Sequence, residues 1–171
     1  MAAISVPIIR IYNAANSVVQ DAWNAGEIDI ANSSSFESSE LVINVWNNKG
    51  GTGTVPDLVG CNITTKNVNG DNTDEQVVTE KWVQACVDSM ASTDASGRKI
   101  FSPIGGSTVC LVAHQSASGS DKTNCVIKGT PNNGGLTEIN NYSKITLKVV
   151  PTINARSGVH HFKTRISGYY V

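Results

Sequence analysis

Hydrophobic and polar positions alternate with a period of two along most of this chain. Leu41, Ile43 and Val45 alternate with Val42, Asn44 and Trp46, which is the spacing of a strand whose successive side chains point to opposite faces. The same signal recurs at residues 4–12, 17–23, 26–30, 40–47, 58–66, 76–88, 107–114, 124–129, 143–151 and 158–170. Turn compositions separate these segments. Asn69-Gly70, within residues 67–74, predicts a hairpin turn, and residues 93–98, 116–123 and 129–135 read as loops. Pro56, Pro103, Pro131 and Pro151 fall at predicted strand ends, while Pro7 marks the first strand as an edge or as bulged.

A helix competes with a strand only over residues 74–90, where Val77, Val78, Lys81, Trp82, Ala85 and Val87 partly match a helical stripe. Val77, Thr79, Lys81, Val83 and Ala85 also alternate against Val78, Trp82 and Cys86, and the all-β surroundings favour a strand. The last strand sets His161, Lys163 and Arg165 against Phe162, Thr164 and Ile166, with Gly168 as a possible bulge. Short strands at this spacing predict one all-β domain over residues 1–171, an antiparallel β-sandwich of about 8–10 strands.

Composition fits that expectation. Charged residues are only 16% of the chain, and polarity comes from Asn, Ser, Thr and Gly. Asn and Gly accept the backbone angles of turns, and Thr and Val suit strands. The net charge of -1 gives no basic surface for nucleic acid or an anionic membrane. No run of eighteen apolar residues predicts a membrane span, and the N-terminus lacks the basic and apolar regions of an export signal. Synthesis in the cytoplasm is expected, unless Met1 heads a mature fragment. The cysteines, Cys61, Cys86, Cys110 and Cys125, have no C-x-x-C spacing; buried reduced thiols are expected, with disulfides as the alternative.

Candidate chemistry is sparse. Residues 47–54, Asn-Asn-Lys-Gly-Gly-Thr-Gly-Thr, superficially resemble a phosphate cradle. Lys49 precedes the glycines, however, and a strand rather than a helix follows, so a surface turn is expected. His160 and His161 are adjacent on a strand and point apart, and His114 is remote; no metal and no other cofactor are expected. No G-x-S-x-G elbow supports a serine nucleophile, so no catalytic residue is assigned. Asn32, Asn62 and Asn141 match N-x-[ST] in a chain where chance matches are frequent. Trp46 and Trp82 are expected in the core, whereas Trp23 and the polar loops leave glycan binding open.

The stretch from Ala22 to Gly51 resembles one end of an immunoglobulin-like domain of the abnormal-spindle and Hydin type. The shared parts are an aromatic (Trp23), a short G-x-[IV] strand (Gly26, Ile28), a Ser-rich connector (Ser33 to Ser39), an alternating strand (Leu41 to Val45) and an N-x-G turn (Asn47 to Gly51). More broadly, the opening "VPIIRIYNAANSVVQDAWNAGEIDI", the central "VWNNKGG…LVGCNITTK" and the closing "TLKVVP…ARSGVHHFKTRISGYYV" resemble small accessory structural proteins of tailed phages and prophages of Gram-positive gut bacteria.

Those resemblances imply an immunoglobulin-like sandwich serving as a non-enzymatic virion protein of tail, baseplate or capsid. It would be made in the host cytoplasm and would contact other virion proteins and copies of itself. The alternative is a secreted or surface glycan-binding module. Apolar and aromatic residues of the two end strands, Ile8, Ile9, Tyr12, Phe162, Ile166, Tyr169 and Tyr170, are the expected assembly interface.

Overall fold

A computed structural model describes residues 6–20, 22–31 and 36–170. The first two residues of the expected strand 4–12, the sequon at Asn32, Ser33 to Ser35 and Val171 lie outside the described residues. Among the described residues, eight strands form two antiparallel sheets. β1 (Ile9–Asn13), β2 (Leu41–Asn47), β4 (Val83–Val87), β5 (Ser102–Ile104) and β7 (Tyr142–Val149) make a five-stranded sheet in the order β1-β2-β7-β4-β5. β3 (Val59–Lys66), β6 (Cys110–Leu111) and β8 (Lys163–Tyr169) make a three-stranded sheet in the order β6-β3-β8. The chain is an all-β sandwich.

The period-two pattern explains which residues fill the core. The register aligns Ile11, Val45, Ser143 and, one step along, Ile43, Ile145 and Val87 on one face of the larger sheet. Ile63 pairs with Ile166 and Thr65 with Thr164 in the smaller sheet. One buried cluster joins Ile43, Val45, Ile145 and Leu147 from one sheet to Cys61 and Ile63 from the other. The opposite face of the larger sheet is also buried at Asn44, Trp46, Cys86 and Thr146, so β2 is covered on both sides. Burial on both faces is why β2 reads as an almost continuous apolar run.

Several expected strands fail, each for a visible reason. Among the described residues of 17–23, no strand forms. After β1 the chain turns at Asn16, in the left-handed region at φ 63°, and only Val19 bridges back to Tyr12. Residues 26–30 pair with no described strand, with Gly26 at φ 82° and Ile30 in a turn, so the short strand implied by the immunoglobulin-like resemblance is not formed. Residues 76–88 divide into a helical turn, α1 (Gln76–Thr79), and β4, separated by Lys81 at φ 57°. The helical stripe at Val77-Val78 and the strand alternation from Val83 were both real signals, one after the other. Segment 107–114 shrinks to β6. Segment 124–129 contributes a single bridge, Leu58 to Ile127, and Cys125 at φ 53° breaks any longer ladder.

Further differences concern an edge strand, the turns and the position of the bulge. β5 lies within no expected strand. It is a three-residue edge strand, where the missing N–H of Pro103 is tolerated. Residues 119–123 hold a helical turn, α2 (Gly119–Thr123), within an expected loop. Asn69-Gly70 does turn the chain, with Gly70 N donating to Asn67 O at 3.0 Å, but β3 and β4 enter different sheets and no hairpin results. The bulge lies on β3, between Val59 and Asn62, where Gly60 adopts φ 62°. Gly168 on the partner strand is glycine for space, since a Cβ there would meet Leu58 Cδ1 at 2.8 Å.

All four cysteines are free thiols; Cys61, Cys86 and Cys125 are buried and Cys110 is half-buried. Burial, helped by nearby Cys125, pushes the Cys61 thiol up to about 12, and burial also raises the other three. Thiolate is the reactive form. Titration with a thiol reagent should therefore find four thiols in denatured protein, while in the native protein only Cys110, on its edge strand, reacts promptly. Two or fewer thiols after denaturation would contradict this arrangement.

Candidate functional site

The structure divides the seven residues expected at an interface into two groups. Ile9 and Ile11 turn inward from β1, and Phe162 and Ile166 pack against the same core from the β8 side. Tyr12 is half-buried on the opposite face of the larger sheet, beneath Lys49, whose Nζ sits 4.4 Å from its ring centroid. These four of the seven, Ile9, Tyr12, Phe162 and Ile166, serve the fold. Ile8, Tyr169 and Tyr170 do not: they are 48%, 61% and 44% exposed.

Both chain ends reach the same end of the sandwich, with Ile8 turned out from the larger sheet and Tyr169 out from the smaller one. The Ile8 N–H donates to Asn47 Oδ1 at 3.0 Å, and Asn47 Nδ2 donates to Pro56 O at 3.0 Å. Three residues beyond Pro56, Val59 pairs with Tyr169. A Cβ on Gly60 would sit 2.6 Å from Tyr169 Cε1, so the tyrosine ring lies flat against the bare backbone of the bulge. Its outer face stays open to solvent. Val6, two residues before Ile8, is also exposed.

A second feature opens at the side of the sandwich. The edges of both sheets, β1 and β8, border a cleft lined by Ile11, Leu41, Trp23, Phe162 and Thr164. It continues into a larger one of about 970 Å³ between residues 23–30 and 151–162, floored by Val77, Trp82 and Val149. Trp23 meets Phe162 edge-to-face at 5.9 Å between centroids, and Trp82 meets His160 likewise at 4.8 Å.

The 151–162 wall is tied down from α1 and its flanks. Gln76 Nε2 donates to Asn154 O at 3.1 Å, Arg156 N donates to Gln76 Oε1 at 2.8 Å, and His160 Nδ1 lies 3.5 Å from Glu75. Glu80 accepts from Thr152, Gln76 and Trp82, and these hydrogen bonds lower its carboxyl pKa. The facing wall, residues 22–31, has no backbone ladder. Trp23, Ala25 and Ile28 anchor it to the core. Asn24 and Asp29 cap their own turns by accepting from Gly26 N and Ala31 N, each at 2.9 Å.

The glycine-rich loop at 47–54 is a turn, and its asparagines organise the neighbouring loops. Asn48, at φ 61°, donates through Nδ2 to Gly53 O at 2.7 Å and Gly129 O at 2.9 Å. Asn141 Nδ2 donates to Lys128 O and Thr130 O, and Asn132 Nδ2 to Asn48 O at 2.7 Å. Buried carbonyls left without donors would each cost about 1–3 kcal/mol. Side-chain amides can satisfy them where no ladder runs, which accounts for so much Asn in so little regular structure. Asn141 is buried, and Asn62 lies within β3; both sequons are structural positions.

One polar chain escaped the sequence reading. His114, buried, places Nδ1 3.1 Å from Ser116 Oγ and Nε2 3.2 Å from Asp121 Oδ2. Asp121 also meets Lys128 at 3.0 Å, and Lys128 meets Asp57 at 3.2 Å. The bond from Lys128, followed by that from His114, holds the Asp121 carboxyl below its usual range. A serine triad presents Nε2 to the serine and Nδ1 to the carboxylate; here the ring is the other way round. Neither cleft includes Ser116. The chain staples the 114–128 loop to the start of β3. His160 and His161 precede β8 rather than lying in a strand; the first packs against Trp82, the second is exposed, and both line the larger cleft.

Among the described residues no group of three His, Cys, Asp or Glu is placed to hold a metal ion, and no helix is long and apolar enough to cross a membrane. No family model, no curated protein and no solved structure matches the chain.

Proposed function

We propose that this protein is a non-enzymatic structural protein of a virus particle, of the tailed-phage kind its sequence resembles, and that it works through protein–protein contacts at its chain ends. The observation that carries this reading is the exposure of Val6, Ile8, Tyr169 and Tyr170, supplied by both ends of the chain at one end of the sandwich. Exposed apolar and aromatic side chains at one end of the fold suit a contact site, because aromatic residues are enriched in interface cores. The polar groups that could have suggested catalysis are engaged in holding loops, as the His114 chain is. The immunoglobulin-like kinship implied by the 22–51 stretch belongs to the same proposal.

Mass spectrometry and cryo-microscopy of purified particles test it. The protein should be found in particles at a fixed stoichiometry, at a position where its chain ends meet another subunit. Abundance in producing cells combined with absence from particles would overturn the proposal.

A further inference from the structure

The cleft between residues 23–30 and 151–162 has a composition that selects a ligand class. Its volume of about 970 Å³ is at the upper end of small-ligand sites. The floor is apolar, of Val77, Trp82 and Val149, and Trp23 and Phe162 meet edge-to-face in the lining. The rims are polar and carry both signs: Glu27 and Asp29 on one wall, Arg156 with His160 and His161 on the other. A fully apolar ligand would strand these charges against hydrocarbon. An anion such as a phosphate would meet two carboxylates, and a cation would meet Arg156. A neutral ligand with apolar faces and many hydroxyls satisfies every element at once: its faces stack on the rings, and its hydroxyls donate to Glu27 and Asp29 and accept from Arg156.

Backbone geometry points the same way. Residues 22–31 are anchored by side chains and make no sheet ladder among the described residues, so apart from the Gly26 and Ala31 N–H groups, which Asn24 and Asp29 cap, their backbone groups are not held in a ladder. They are additional partners for hydroxyls. The opposite wall is preset by its bonds to Glu75, Gln76 and Glu80, so little ordering is needed on binding. We propose that this cleft binds a neutral saccharide. This site is separate from the chain-end surface and does not depend on the assembly reading.

Intrinsic tryptophan fluorescence of the full chain, titrated with neutral oligosaccharides of glucose, galactose and N-acetylglucosamine, tests the proposal. At least one should give a saturable change as Trp23 is covered. Glu27→Gln combined with Arg156→Gln should weaken that binding about tenfold or more, as expected for lost hydrogen bonds to charged groups. Tyr170→Ser, at the chain-end surface, should leave it unchanged. No response to any saccharide by protein shown to be folded would overturn the proposal. So would binding indifferent to the Glu27 and Arg156 changes, or tighter binding of sugar phosphates or extended peptides than of neutral saccharides.

Discussion

Trp46→Ala should destabilise the protein by about 3–5 kcal/mol, the range for removing a large buried aromatic. The side chain is 0% exposed, although it lies on the face of β2 turned away from the inter-sheet core. It stacks on Tyr142 at 4.8 Å, with the planes 22° apart. Its Nε1 donates to Asn16 Oδ1 at 2.6 Å, and Asn16 in turn donates to Gly134 O at 2.8 Å. The substitution therefore empties a second, smaller core and releases two loops together. Equilibrium urea unfolding measures the loss, and the melting temperature should fall on the order of 10 °C for a chain of this length. Trp46→Phe, which keeps the stack but not the N–H, should lose about 1–2 kcal/mol. A loss below about 1 kcal/mol for the alanine variant would mean that the outer face of the sheet is not a packed layer.

The second large effect is expected at Asn48. Its Nδ2 faces the carbonyls of Gly53, Gly129 and Thr130 while the residue is buried in the left-handed region. Asn48→Asp replaces the donor by an acceptor and places a charge among carbonyl oxygens. We expect a loss of about 3 kcal/mol or more at neutral pH, from stranded carbonyls and a buried unpaired charge. Asn48→Gly keeps the backbone angle and leaves space for water, and should cost about half as much. Calorimetry of the three proteins should rank them wild type, glycine, aspartate. An aspartate variant as stable as wild type would mean that the amide does not organise these loops.

Both residues show how unevenly the structure could be read from the sequence. β2, β3, β7 and β8 lie close to where the alternation placed them, because each is long and packs against the core. The failures lie where backbone conformation overrides side-chain pattern. Val18-Val19 make only a single bridge, to Tyr12, and Ile28-Asp29-Ile30 make none among the described residues. Lys81 and Cys125, both at positive φ, end elements without the glycine that would announce it. Assigning Trp46 and Trp82 to the core followed from their place in alternating runs.

The roles of Asn47, Asn48 and Asn141 were hidden, because an amide that holds a loop from inside has the same local sequence as one that faces water. The candidate site was legible in part. The apolar ends of the chain were visible, but only the tertiary structure separates Ile8, Tyr169 and Tyr170, which are left exposed, from Ile9, Phe162 and Ile166, which face the core. The side cleft could not be anticipated, since it joins segments more than a hundred residues apart.

The chain-end surface is tested most directly by Ile8→Ser combined with Tyr170→Ser, both exposed positions, measured for melting temperature and for assembly in the same preparation. Assembly is read as the fraction of protein incorporated into particles and as self-association by sedimentation velocity. The account predicts a melting temperature within about 2 °C of wild type, since exposed substitutions change stability little, together with loss of incorporation or of self-association. A variant that assembles as wild type does would contradict it, as would a melting temperature lowered by several degrees in a protein that is monomeric and absent from particles in either form.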